Sequence, residues 1–257
     1  MKISVIIPTW NEGKQIARGL RRLREISVYD NMELIVVDGG SLDGTREAAA
    51  KWSDHVVNFR EPNRGGQLHA GTKAATGDLL FFLHADTQPP GNWQERLEQF
   101  WLSSHRRAPS ATVFSVDYGS KWNYRMVAWG QNARVNWRQV AYGDAGFCTT
   151  PENYAASGGF PEIPIMEDVG FSKRLRKIGP IVRLPEKIHP GARRLHKIGP
   201  LRNSMRNFLI RLRYSMGATP EDLWRSYYSR KPIEAVGLSD GESALRAAVK
   251  KRRKDSR

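Results

Sequence analysis

The sequence predicts an α/β fold: a doubly wound, mostly parallel sheet with helices on both faces, followed by a C-terminal helical segment. Three observations predict it. Short aliphatic runs alternate with segments of helical period through residues 3–86. The fourth such run, in GDLLFFLHAD, is continuously apolar, as a central strand covered on both faces must be. Three polar clusters, Pro8–Glu12, Asp38–Ser41 and His84–Asp86, close apolar runs at their carboxyl ends, the edge along which such sheets bind ligands.

ISVIIP is a β-branched strand that Pro8 ends. NEGKQIARGLRRLREI follows with Ile16, Leu20, Leu23 and Ile26 at helical spacing, and Asn11 is placed to cap it. MELIVVDGGSLDGT is a second buried strand, halted by two glycines and opening toward a helix at TREAAAKW, and DHVVNF is a third. GGQLHAGTKAAT begins on glycine and continues as a helix into the fourth strand. After Thr87 the alternation changes. NWQERLEQFWL is an amphipathic helix, SATVFSVDYG reads as an edge strand, and KWNYRMVAWGQNARVNW as a Trp-rich helix whose aromatics, at helical spacing, are expected in the core. A strand, a turn-rich loop and a helix from about Glu167 follow. PIVRLPEKIHPGARRLHKIG returns as a strand and a basic loop, and PLRNSMRNFLIRLRYSMG is an amphipathic helix with arginine on its polar face. From about Lys231 to Arg257 the chain is polar and basic, and is expected to be a disordered tail.

Hydrophobic residues at 40%, with eight tryptophans, supply a core and exclude wholesale disorder. The single cysteine, Cys148, excludes an intramolecular disulfide and accords with a reducing compartment. The apolar run at the N-terminus is too short for a signal peptide or a membrane span, so a cytoplasmic location is expected. The net charge of +15 is one-sided: residues 1–118 hold 14 basic and 14 acidic side chains, residues 119–257 hold 27 and 12. The basic half calls for an anionic partner or is simply solvated; nucleic acid, a phosphorylated substrate and the inner face of an anionic membrane are the candidates.

VIIPTWNEG, LIVVDGGSLDGT, GDLLFFLHADT and GGFPEIPIMEDVGFSKRLRKIG, in that order, resemble the family 2 glycosyltransferases of the GT-A fold, and more closely a small soluble branch with HADT- and MEDV-type motifs. The resemblance spans about residues 3–220. It implies a metal-dependent inverting glycosyltransferase that moves a sugar from a nucleoside-diphosphate donor, UDP-type favoured, to a hydroxyl acceptor, with lipid-linked acceptors among the candidates. Residues 1–118 would be the donor-binding half and 119–230 the acceptor-binding half of one domain.

Such a donor needs polar groups at the first two strand ends. Asp38 would accept a charge-assisted bond from the imide N–H of a uracil-type base. Pro8, Thr9, Asn11 and Glu12 would frame the same pocket, and Gly39 and Gly40 would let the backbone approach the ligand. A strand-end turn capped by Ser41 or Asp43 accounts for the same residues by folding alone, and Asp43 and Thr45 read as turn and helix-start chemistry. In PNRGGQLHAG, Arg64 is expected to neutralise diphosphate, with Gly65 and Gly66 admitting it beside a helix N-terminus; Gln67 is a further candidate. The Gly-Lys-Ser/Thr ending of a Walker loop is missing.

The family's Asp-x-Asp pattern reads His84-Ala85-Asp86 here. The resemblance implies that Asp86 holds a divalent cation, Mg²⁺ or Mn²⁺, against the donor phosphates, and that His84 stands where an acid usually touches the ribose. It assigns the general base to Asp168, with Glu167 beside it on the acceptor side. Two adjacent acids should also lift a pKa toward neutrality, although a helix first turn would favour the pair by itself. Gly143, Asp144 and Gly146 would line the acceptor site, and Arg193, Arg194 and His196 lie in a basic loop near the donor. A retaining route needs a second placed carboxylate as nucleophile, and none is evident.

Two other classes stay open: a nucleotidyltransferase, against which PTWNEG stands in place of a Gly-rich basic loop after the first strand, and an inactive transferase fold that binds nucleic acid or an anionic surface through the Trp/Tyr-rich segment 118–142. A processive polysaccharide synthase is excluded by the missing Gln-x-x-Arg-Trp motif.

Overall fold

The computed structural model describes residues 1–28, 31–103 and 109–228; the tail expected from about residue 231 lies outside them. The first half builds β1 (Ile3–Thr9), α1 (Gly13–Glu25), β2 (Met32–Asp38), α2 (Thr45–Ala50), β3 (His55–Asn58), α3 (Arg64–Ala74) and β4 (Leu79–Phe82). The second half adds α4 (Trp93–Ser103), β5 (Ala111–Val116), α5 (Trp122–Arg138), a 3₁₀ turn at Gly143–Ala145, β6 (Phe147–Thr149), α6 (Pro151–Ser157), α7 (Glu167–Leu175), β7 (Ile181–Ile188), α8 (Arg193–Ile198), α9 (Pro200–Ser215) and α10 (Pro220–Tyr228).

The strands form one sheet in the order β3-β2-β1-β4-β6-β5-β7. β3, β2, β1 and β4 run parallel, while β6 is antiparallel to both of its neighbours. The chain leaves β1 on one side for β2 and β3, then returns on the other side as β4. Such a reversal opens a crevice at the carboxyl ends of the strands on either side of it. Register makes that edge level: Thr9 pairs with Asp38, and Asp38 with Asn58. Close packing holds α3 on the sheet at Gly71, where a Cβ would lie 2.4 Å from Ile6.

Four expectations are corrected. SATVFSVDYG is not at an edge: β5 lies between β6 and β7, and all six of its residues are buried. Thr112 and Ser115 gave it the look of a half-wet strand, but both are buried in the sheet. Asn11 does not cap α1. Glu12 holds that position, and Asn11 adopts φ +53° while its Oδ1 accepts the Leu42 N–H. The tryptophans of α5 are not core: Trp122, Trp129 and Trp137 are 66–76% exposed, and the inward face carries Tyr124, Ala128 and Val135 instead. α9 is likewise turned over. Its row Leu201, Met205, Phe208, Leu209 and Leu212 faces out, while Arg211 donates to the Tyr142 hydroxyl and Arg206 to the Tyr227 carbonyl.

Candidate active site

The carboxyl edge of the sheet is built by cross-loop capping. The loop after β2 clasps the start of α1: Ser41 Oγ accepts the Asn11 N–H at 2.9 Å, Thr45 Oγ1 that of Glu12 at 2.9 Å, and Asp43 Oδ2 that of Gly13 at 3.0 Å. Asp43 and Thr45 are thus helix-start residues, as expected, and serve the neighbouring helix as well as their own, where Asp43 Oδ1 accepts the Thr45 N–H at 3.3 Å. Gln67 Nε2 bridges the carbonyls of Thr9 and Val37, each at 2.8 Å, and locks the ends of β1 and β2 together. Pro8 and Thr9 end the strand beside this lock, with Thr9 buried.

Asp38 is 1% exposed, and its carboxylate is already occupied. Oδ2 accepts the N–H of Gly40 at 3.2 Å and of Ser41 at 2.9 Å, while Oδ1 accepts the hydroxyls of Ser41 and Thr9. Four donors fill the lone pairs of a carboxylate. Asp38 thus holds the turn of residues 38–41, and its longest donor is the Thr9 hydroxyl, 3.4 Å from Oδ1 and 3.5 Å from the Val37 carbonyl. Gly40 fits that turn with φ +80°, and a side chain on Gly39 would press on Gln67.

At the start of α3, Asn63 caps the helix by accepting the Gly66 N–H at 3.0 Å. Gly65 and Gly66 are small for packing rather than for a ligand: a Cβ would lie 1.9 Å from the Pro161 carbonyl at the first and 2.6 Å from the Phe59 ring at the second. The consequence reaches the site, since this contact sets the 161–163 loop that leads into α7. Arg64 then projects to Glu167, Nη1 to Oε1 at 3.2 Å.

The acid pair opens α7. Met166 precedes it at φ +67°, a strained conformation for a side-chain-bearing residue, held by burial among Ile165, Val169, Ile210 and Leu223. Helices α9 and α10 thus brace the pair from below. Asp168 Oδ2 accepts the Gly143 N–H at 3.1 Å and Oδ1 the Val169 N–H at 2.7 Å, which fixes the carboxylate. Burial raises the pKa of Asp168, with the bond from Gly143 and the charge of Arg64 opposing. Glu167 is also raised by burial, against the pull of Arg64, and its buried Oε2 has no partner.

Phe82, Phe147 and Phe160 line one small cavity with His84, Gly143, Glu167 and Asp168. Gly143 is obligatory here because a Cβ would sit 2.4 Å from His84 Nε2. Burial, and next the Arg64 charge, push the His84 pKa far down, so its imidazole is neutral. Gly146 has a packing reason of its own: its φ is +66° and a Cβ would meet Phe81 and Ile188.

Asp144 was flagged by sequence; its partner Tyr118 was not. The Tyr118 hydroxyl donates to Asp144 Oδ2 at 2.6 Å, and Oδ1 is buried without a partner. Burial lifts Asp144 to about 6, with Asp168 and Asp86 adding in the same direction. Asp86 and Asp168 thus both act on one carboxylate, and the two sequence regions meet. A raised carboxyl stabilises the fold below its unfolded pKa of 3.8, and that stability is lost as pH rises through about 6. Asp144→Asn keeps an acceptor for Tyr118 and removes the buried charge. We expect it to raise stability at pH 8 by up to about 3 kcal/mol, with no gain at pH 3.5, in denaturant titrations at the two pH values.

Asp86 follows the cavity residue His84 by two positions, and the loop before α8 crosses it; a Cβ on Gly191 would be 2.1 Å from Asp86 Oδ2. Arg193 sits between two acids, its Nη2 3.1 Å from Glu12 Oε2 and 3.3 Å from Asp86 Oδ2. Sequence did not single out this pairing. His196 bonds Tyr124 instead, through Nδ1 at 2.8 Å, and the Arg194 side chain lies outside the described set.

The guanidinium is a cation held where a metal is expected, so the residues present fit a positive charge at Asp86. No cluster of three His, Cys, Asp or Glu side chains poised for a metal occurs among the described residues, so such an ion would take most of its ligands from substrate and water, as Mg²⁺ and Mn²⁺ do beside phosphates. Arg193→Ala removes the internal competitor. Because the pair is half exposed, about 1 kcal/mol is at stake, and Mn²⁺ affinity by calorimetry should rise about five-fold.

The description Glycosyl transferase family 2 matches residues 4–154, more than half of the chain. The chain belongs to glycosyl transferase family 2. Among curated relatives of this family 2 chain, glycosyltransferase AglE of Haloferax volcanii is 35% identical over 101 residues, 37% of this chain and 33% of that protein. The dolichol-phosphate mannosyltransferase of Pyrococcus furiosus is 34% identical over 95 residues, 35% of this chain and 27% of that protein. The matched stretch spans about a third or less of each relative. A mannosyltransferase of Pyrobaculum calidifontis, solved with GDP-Man and Mn²⁺, superposes with TM-score 0.59 at 18% identity, over 96% of this chain and 80% of that one. S. aureus TarS with UDP-GlcNAc gives TM-score 0.56 at 19% identity, over 74% and 58%. At these identities the likeness establishes the fold, which is the expected α/β GT-A architecture.

Proposed function

We propose that this family 2 chain transfers a sugar, with inversion, from a nucleoside-diphosphate donor to a hydroxyl acceptor. The observation that carries the reading is that His84, two residues before Asp86, lines one cavity with Glu167 and Asp168, while Asp144 feels the charges of both Asp168 and Asp86. Asp168 is the base: its oxygens are fixed by two backbone N–H groups and held in an apolar surround that raises its proton affinity. Asp144, near Asp168 and paired with Tyr118, borders the acceptor side. Glu12, Asn11 and the turn of Asp38, Gly39 and Gly40 frame the donor side, with Arg64 at the start of α3 reaching Glu167. His84, neutral, offers a hydrogen bond to ribose.

A hard divalent cation at Asp86 would screen the charge that develops on the leaving diphosphate. Relatives in the fold solved with UDP-GlcNAc, and with GDP-Man and Mn²⁺, support a nucleotide sugar and a divalent cation without choosing the base. A UDP-type donor would bring its imide N–H to Asp38 in place of the Thr9 hydroxyl, the longest of the present donors at 3.4 Å. A lipid-linked acceptor at an anionic membrane face accords with the one-sided charge, and with a cytoplasmic, peripheral location. No helix among the described residues is long and apolar enough to cross a membrane.

The test is a panel of UDP- and GDP-sugars incubated with Mn²⁺. Free nucleoside diphosphate should appear from at least one donor and stop with chelator. Absence of both release and any donor-induced thermal shift across the panel would remove the reading.

A further inference from the structure

Two neighbouring helices present apolar rows to solvent. On α5 the row is Trp122, Met126, Trp129 and Trp137; on α9 it includes Met205 and Phe208. Both follow the same helical spacing, so each forms one stripe. Of the fifteen large apolar side chains exposed among the described residues, nine belong to this pair, which makes it a surface and not scatter. Helices α5 and α9 pack on each other, and Arg134 and Arg211, one from each, stack on the Tyr142 ring at 4.4 and 5.6 Å. Tyr142 is followed by Gly143, whose N–H holds Asp168. The surface is therefore tied to the acceptor side of the cleft.

Charge selects the occupant. Residues 118–143 carry four basic and no acidic side chains, and residues 187–220 carry eight basic and none acidic. A second copy would bring the same positive face, and residues 229–257 are themselves net positive, so neither complements it. Nucleic acid wants stacking rings beside its phosphates, whereas much of the α9 row is aliphatic. Tryptophan and aliphatic side chains flanked by arginine and lysine, with no acid among them, match the boundary of an anionic bilayer.

We propose that α5 and α9 form a docking face for an anionic lipid surface. This deepens the membrane-facing part of the proposed function, and it stands or falls separately from the transfer reaction. The experiment is co-sedimentation of the full chain with phosphatidylcholine vesicles, with and without phosphatidylglycerol, at low and high salt. Binding is expected only with the anionic lipid, weakening with salt, and with a blue shift of tryptophan emission. Replacing Trp122, Trp129 and Trp137 by serine, or Met205, Phe208 and Leu212 by serine, should each lower partitioning at least ten-fold. Both variants should leave the melting temperature and metal-dependent release of nucleoside diphosphate unchanged. No sedimentation with anionic vesicles at low salt would overturn the proposal. So would binding that survives both triple variants, a dimer that the variants dissociate, or nucleic acid bound while vesicles are not.

Discussion

Asp168→Asn is expected to lower kcat by about 10²–10⁴-fold, the range that a positioned base contributes. The substitution is nearly isosteric and still accepts the N–H of Gly143 through its amide oxygen, so the fold should hold. What it loses is the capacity to take a proton from the attacking hydroxyl. Donor binding should survive: nucleotide sugar with Mn²⁺ should raise the melting temperature of the variant as it does that of the wild type. The pH profile gives a second readout. Asp168 must be ionised to act, and burial raises its pKa above the ordinary value of about 4. Wild-type kcat/KM should therefore fall as pH drops, with its acid limb displaced above that value, and the residual rate of Asp168→Asn should lack this limb. A small loss of kcat, with the limb retained, would move the base elsewhere.

Asp86→Ala should act on binding as well as on turnover. At about 100 times Kd a ligand stabilises the native state by about 2.7 kcal/mol, which for a chain of this size is a rise of roughly 5–10 °C. That rise should vanish in Asp86→Ala for nucleotide plus Mn²⁺, and turnover should vanish with it. The variant must be compared with Arg193→Ala, because removing Asp86 leaves Arg193 paired to Glu12 alone. If Asp86 only anchors the arginine, the two variants will behave alike. If it holds a cation, they will shift Mn²⁺ affinity in opposite directions.

Much of the fold was legible because parallel strands covered on both faces read as nearly continuous apolar runs: β4 is wholly apolar, and β1 and β2 are broken inside only by Ser4 and Glu33, which bond each other. The order of strands is not written locally. β5 ends up between two neighbours because β6 inserts antiparallel after it in sequence, and no residue in ATVFSV announces that. Periodicity states which residues of a helix share a face, but not which face turns inward. On α5 and α9 the inward face is set by Val135, Ile210 and a few polar anchors, so the larger apolar rows point out.

The site shows the same division. Asp86, Glu167 and Asp168 could be singled out because they stand in motifs that resemble those of the family, at a strand end and a helix start. Asp38 had the right type and place, yet its partners Ser41, Gly40 and Thr9 come from the fold and take up its oxygens. Arg193 stands out in sequence only as one of a basic loop and Tyr118 only as one ring of an aromatic segment; three-dimensional pairing gives them their partners Asp86 and Asp144.

The measurement that tests the central claim most directly is the rate of metal-dependent donor turnover in Asp86→Ala, Asp168→Asn and the double variant. Groups that serve one transition state are strongly non-additive. The double variant should be no slower, within a few-fold, than the slower single. If Asp168→Asn still imposes its full loss of about 10²–10⁴-fold in the Asp86→Ala background, the two acids act independently and the shared reaction centre is contradicted.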